Sequence, residues 1–499
     1  MKSKKIDYKW FLVWVAGLLC LAVTAWNPYI QYDESYTLSL IQHNASELVR
    51  ITGVDVHPPF YYLLVKFLTA PFGNSIWAVR AFNVLPLTGM FLLGVTLVRK
   101  LWGESTGLWF SFLSVFLPAN MSYLLPEMRM YGLASFLVVT AFLVGKIVLE
   151  KRYEVIAEKK AWAALFVSGI LAAYTQYYAL IATALIYLWM LAVMIRRKQK
   201  GIGRWCICVG ASSIAYLPWL FVLLGQFGAV REDYWIPPIS VRDCLSYIMF
   251  PFYSSMSVLA GAALALFVAV ILVSEIARQT EWGTIAYGAF VYGGVIGVGV
   301  LVSVVVSPVF SVRYVKCILG ILVLCLACLF STAGKRKQII LFFAFFVFAI
   351  CNLFTIQKKN AHNREVYEWM MAYVSERFDE NTVLAYASDG HYMGIFSVWF
   401  PEYPGLIPDE CWKDEYEAFA PRLMTRSAYE EQYGAVEEKG IWAIDIGNFW
   451  WRETWDNEIW QRVEHSEPFV FYDQTDELQC DIAKLIERDE PEADEGQSE

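Results

Sequence analysis

Two carboxylates stand side by side in the stretch AWNPYIQYDESYTL, residues 25–38, where Asp33 and Glu34 follow a hydrophobic run long enough to cross a bilayer. Further along the chain, Asp55, His57, Lys66, Arg80, Glu127, Arg129, Arg231, Glu232, Asp233 and Arg313 each stand at or just beyond the end of an apolar block. Acids, an imidazole and guanidinium groups gathered where hydrocarbon meets water suit chemistry on a substrate that is itself part lipid and part polar. Any one of them could equally be the solvated cap of a span, so the weight of the reading rests on the set.

The elements that must position these groups are membrane spans. Of 499 residues, 57% are hydrophobic and 18% charged, a balance beyond that of ordinary soluble domains. The apolar residues fall in blocks that reach the roughly 20 residues a helix needs to cross the hydrocarbon. Hydropathy predicts about eleven spans, at 9–26, 79–98, 105–124, 130–149, 161–175, 177–195, 205–223, 252–274, 283–304, 312–331 and 338–355. With the N-terminal MKSKK inside the cell, the basic groups at 98–100, 150–160, 196–204 and 334–338 also fall inside, as the excess of Lys and Arg in cytoplasmic loops requires. The loops at 27–78, 125–129, 224–251 and 305–311, with the tail from Gln357, then lie outside.

The net charge of −8 conceals a division. Residues 1–356 carry 28 Lys and Arg against 15 Asp and Glu, whereas the tail carries 12 against 33. The chain therefore divides into a membrane domain at 1–356, an extracytoplasmic α/β domain at 357–488 and an acidic, disordered end at 489–499. In the first outer loop, 27–78, the apolar positions Leu38, Ile41, Leu48 and Ile51 predict an amphipathic helix lying on the membrane surface. A second interfacial helix is expected at 57–73, opened by Pro58 or Pro59. In the tail, 382–388, 440–446 and 469–473 read as strands, and 364–378 and 476–488 as helices. There is no P-loop or nucleotide fingerprint, and nothing marks a nucleic-acid partner.

The stretches YDESY, VDVHPPFYYLL, PEMRMYGL, YTQYYAL, YLPWL, YWIPP and SVRYV, in that order across residues 1–356, resemble the integral-membrane glycosyltransferases of the GT-C superfamily. The nearest branch is the bacterial group related to dolichyl-phosphate-mannose protein mannosyltransferases and lipid A aminoarabinose transferases. The resemblance implies a polytopic GT-C fold in the plasma membrane. It also implies transfer of one sugar from a polyprenyl-phosphate donor to a protein, lipid or glycan acceptor on the outer face.

In such enzymes an acid in the first outer loop serves the reaction, and Asp33 matches it. An acceptor hydroxyl is a weak nucleophile, so a carboxylate beside it can take its proton as the new bond forms. Adjacent helical residues do not face one way, which leaves Glu34 a positioning role. The departing lipid phosphate gains negative charge, for which guanidinium offers fixed donors. Arg129 and Arg313 lead here, followed by Arg231, Arg80 and Lys66. Asp55, His57, Glu127, Tyr131, Gln176, Tyr177 and Tyr178 are expected to line the substrate pocket. Gln176 departs from the His that many relatives carry in a YTHYY stretch. The positions of Asp33, His57 and Glu127 bind a divalent metal in some relatives, and one imidazole with two carboxylates is a chemically reasonable set. A flippase for a lipid-linked glycan would instead place ionisable groups at mid-span and pair broken helices in two halves. A non-catalytic glycan-binding membrane protein is a third reading.

Overall fold

In the computed structural model the described residues are 8–230, 236–386, 391–436, 441–445, 460–472 and 477–487. The chain folds as two units: Met1–Trp26 with Ala45–Gln357, and Asn27–Asn44 with Lys358–Glu499.

The first unit is built of helices that need no outside partner for their backbones, as a segment crossing lipid must. Among the described residues eight helices are long and apolar enough to span: Tyr8–Ala25, Ile76–Trp102, Tyr131–Glu150, Tyr177–Arg196, Ile202–Gln226, Trp282–Val305, Val312–Thr332 and Lys335–Arg377. Tyr131–Glu150 is the central one, with nearly nine-tenths of its apolar window buried, while Phe11, Leu19, Ile214, Phe221, Val304 and Phe354 are exposed on outer helices. Apolar side chains facing outward from most of these helices are what lipid, rather than water, accommodates. The protein is a polytopic α-helical membrane protein.

The expected count of about eleven spans is not met. The 105–124 run stops as a 13-residue helix, Glu104–Phe116, because Leu117 turns extended ahead of Pro118. Glu158–Thr175 opens on charged residues, and Val258–Ser274 starts late because Phe250–Phe252 forms a separate short turn around Pro251. Close helix contact in this unit rests on small residues: a Cβ on Gly94 would stand 2.1 Å from the Ser111 hydroxyl.

The first outer loop forms two helices where one was expected, Tyr32–Leu40 and Ala45–Val54, broken at the polar residues 42–44. Leu38, Ile41, Leu48 and Ile51 are buried. Phe60–Thr69 follows, with Pro59 as its N-cap.

The second unit is an α/β structure. Strands β1 (Leu384–Tyr386), β2 (Gly405–Ile407), β3 (Leu423–Thr425), β4 (Ile441–Asp445), β5 (Trp460–His465), β6 (Phe469–Tyr472) and β7 (Glu477–Glu487) form a sheet in the order β3-β2-β1-β4-β7-β5, with β6 also on β7. The pairs among β1 to β4 are parallel and those of β7 antiparallel. The expected helix at 476–488 is therefore a strand. Cys480, Ile482, Ala483 and Leu485 are all buried, so both faces of β7 are covered. A strand covered on both faces loses the alternation that marks strands, and its apolar residues then fall at helix-like intervals. The span expected at 338–355 and the helix expected at 364–378 are one helix, Lys335–Arg377, since no Pro or Gly interrupts them. Its Asn363 side chain donates to the Tyr472 carbonyl and accepts from the Tyr472 N–H, both at 2.8 Å, meeting backbone groups of β6.

Candidate functional site

In the first unit the sequence VDVHPP turns the chain sharply between Ala45–Val54 and Phe60–Thr69. Pro58 holds His57 away from helical geometry, and Asp55 follows directly after the helix end at Val54 and is buried. Asp55 Oδ2 lies 2.9 Å from His57 Nδ1, and His57 Nε2 lies 3.1 Å from the Arg129 guanidinium. A guanidinium only donates, so His57 Nε2 accepts and its Nδ1–H points to Asp55. The imidazole links the Asp55 carboxylate to Arg129. Burial works to raise the Asp55 carboxyl, but its contact with His57, the Val56 N–H and the Arg129 charge outweigh it. Asp55 is held below the usual carboxylate range.

The backbone of this turn is fixed from the Ile202–Val230 helix. The Gln226 amide donates to the carbonyls of Thr52 (3.0 Å), Gly53 (3.1 Å) and Asp55, and accepts from the Tyr177 hydroxyl. Trp219 Nε1 in turn donates to Tyr177 at 3.1 Å. Tyr177 thus acts on Asp55 through Gln226.

Glu127 and Arg129 are two apart in an irregular segment that Asn83 pins by donating to the carbonyls of Leu125 and Glu127, at 2.9 and 2.8 Å. Glu127 makes a buried ion pair with Lys316 at 2.7 Å, and the Lys316 ammonium stands 5.0 Å from the Tyr131 ring centre. Arg129 is 2% exposed, its guanidinium 5.9 Å from the Tyr62 ring centre. Removing two charges from water is repaid only when each has a close partner, which Glu127 and Lys316 give each other.

Arg313 lies against Tyr314, whose ring stacks on Tyr178 at 4.7 Å, and the Tyr178 hydroxyl donates to the Val309 carbonyl at 2.6 Å. Gln176 is the N-cap of Tyr177–Arg196, accepting from the N–H groups of Tyr178 and Ala179, and is used structurally. Arg80 donates at 2.9 Å to the carbonyl of Ala25, closing the end of the first span, with Trp77 stacked on Trp26 beside it. Lys66 is partly exposed on Phe60–Thr69. Arg231 lies outside the described residues.

Asp33 and Glu34 belong to the second unit, in the first turn of Tyr32–Leu40. Glu34 is buried, and its carboxylate accepts from the Gln31 N–H at 3.0 Å as one arm of a capping box. Asp33 is only partly buried. The two carboxylates differ in surroundings. The helix is seated on the rest of its unit through Tyr32 and Tyr36 against Phe419, and Tyr29 stacked on Phe471 at 5.3 Å.

The divalent-metal set gains no support from this geometry. Among the described residues no three His, Cys, Asp or Glu side chains are placed to hold a metal. Glu127 faces an ammonium, and both His57 nitrogens are engaged by Asp55 and Arg129. Sequence reasoning missed Lys316, Gln226, Asn83 and Trp219. Only Lys316 carried a signal, as a cation inside the apolar run VKCILG, where an unpaired charge is costly.

No protein-family model matches the sequence, and no curated protein matches it. Among solved structures, ArnT from Cupriavidus metallidurans bound to undecaprenyl phosphate matches at a TM-score of 0.62 and 11% identity, over 96% of this chain and 98% of that one. The same protein in the apo state matches at 0.62 and 11%, over 95% and 97%. The Archaeoglobus fulgidus oligosaccharyltransferase in the apo form reaches 0.42, too low to support an argument. Over nearly its whole length the chain shares the fold of that ArnT structure.

Proposed function

We propose that this protein is a membrane glycosyltransferase that moves one sugar from a polyprenyl-phosphate donor to an acceptor on the extracytoplasmic face. The reading is carried by the fold it shares, over nearly its whole length, with a structure bound to undecaprenyl phosphate. The buried Asp55–His57–Arg129 chain supports it further, since it fixes a cation of the kind that a lipid phosphate requires.

In this mechanism the acceptor oxygen attacks the anomeric carbon while its proton passes to Asp33. The bond from that carbon to the phosphate oxygen breaks, and its electron pair leaves with the polyprenyl phosphate. Arg129, kept rigid by His57, and Arg313 meet the developing phosphate charge, and donors fixed in advance cost no reorganisation as the bond breaks. A single displacement inverts the configuration at the anomeric carbon.

The decisive experiment measures release of polyprenyl phosphate from a lipid-linked sugar by protein reconstituted in vesicles. Asp33→Asn is expected to lower turnover about 100- to 10,000-fold, the range of a lost general base, with donor affinity within about 2-fold of wild type. Wild-type turnover in the Asp33→Asn protein would overturn the assignment of the base. No release by the wild type with any polyprenyl-phosphate sugar would overturn the function itself.

A further inference from the structure

A cavity of about 420 Å³ lies between the helices Tyr131–Glu150, Tyr177–Arg196 and Trp282–Val305, at the ends that carry basic residues. Lys146, Arg196 and Arg197 line it, with Glu150, Trp189 and Tyr287. Lys146 lies in the apolar stretch LVGKIVLE, is 8% exposed and pairs with Glu150 at 2.6 Å. Its burial in a span exceeds what a simple solvated helix end would show. The two arginines are exposed, so the lining carries an excess of two positive charges.

The Tyr287 ring is clamped between Phe142, 4.0 Å away, and Trp189, 5.5 Å away, and its buried hydroxyl has no hydrogen-bond partner among the described residues. That hydroxyl packs toward Gly145, where a Cβ would stand 3.0 Å from it, whereas the position a Cβ would take on Gly283 is open space.

We propose that this cavity binds a phosphate anion supplied as the headgroup of an anionic phospholipid. The arginines offer forked donors to the phosphate oxygens. Glu150 suits a headgroup with hydroxyls that can donate to it, as glycerol does. Leu149, Val193 and Ala286 complete a lining that is cationic and apolar together, as a lipid with its chains attached requires. The site shares no residue with the Asp55–His57–Arg129 chain.

The test uses the full-length protein in a neutral detergent, with binding read by native mass spectrometry and thermal shift. The probes are short-chain phosphatidylglycerol, short-chain phosphatidylcholine and inorganic phosphate. Wild type is expected to bind phosphatidylglycerol about 30-fold more tightly than phosphatidylcholine, the effect of two surplus cations. The double variant Arg196→Gln/Arg197→Gln, altered at exposed positions, is expected to lose that preference. Equal binding of the two lipids by wild type would overturn the proposal, as would a preference unchanged in the double variant. Binding of inorganic phosphate without the lipid would overturn the lipid source.

Discussion

Lys316 and Glu127 are a buried pair whose worth is best tested by breaking it one side at a time. Lys316→Met leaves the Glu127 carboxylate without its ammonium partner at 2.7 Å and is expected to destabilise the protein by about 3–5 kcal/mol. The double variant Lys316→Met/Glu127→Leu is expected to recover most of that loss, as measured by denaturation in detergent. A double variant as unstable as the single one would show that the pair is not the cause. At Asp55, the depressed carboxyl contributes stability that is complete above its unfolded value of about 3.9 and fades as pH falls through the lower folded value. The difference in Tm between wild type and Asp55→Asn should therefore stay constant from about pH 8 to pH 5 and narrow below. A difference that widens toward acid would contradict the Asp55–His57–Arg129 arrangement.

Among the elements, the helix Tyr32–Leu40 shows how closely Asp33 depends on its surroundings within the second unit. A Cβ on Gly394 would stand 2.4 Å from the Ser35 hydroxyl and 2.9 Å from both Phe419 and Tyr32. Gly394→Leu is expected to displace this helix and cost about 1–3 kcal/mol, seen as a lower Tm, with a larger proportional loss in turnover. Tm and turnover both unchanged would mean that the contact does not hold the helix. The apolar spacing from Glu34 to Ile51 revealed helical structure in the first outer loop but joined as one what are two helices, the first of which includes Asp33. It could not reveal that the helix clusters with residues more than 300 positions later, since such packing leaves no local period. The HPP turn and the RMY arginine were legible because proline and buried charge leave marks in one dimension. The Gln226 bridge was not, because a glutamine at the end of an apolar helix looks like any polar boundary. Strand β7 was misread for the opposite reason, its two covered faces imitating the pattern of a helix.

On the scale of the whole molecule, composition and hydropathy established a polytopic protein, and the shared fold agrees with that reading. Orientation remains a proposal with a direct check. A reporter that is active only outside the cytoplasm, fused after Glu499, is expected to be active, and one fused in the 196–204 loop silent. The reverse pattern would invert the topology and remove Asp33 from the proposed face. The helix Lys335–Arg377 has a consequence of its own. Its 43 residues make a rod about 65 Å long, roughly twice the thickness of the hydrocarbon layer. Lysines at 335 and 337 mark one end of its oily stretch and lysines at 358 and 359 the other, so the rod is gauged to one thickness of lipid. In a thinner or thicker bilayer its apolar stretch must lean or let a ring of ammonium groups sink, so this segment meets the least strain where the lipid matches its length.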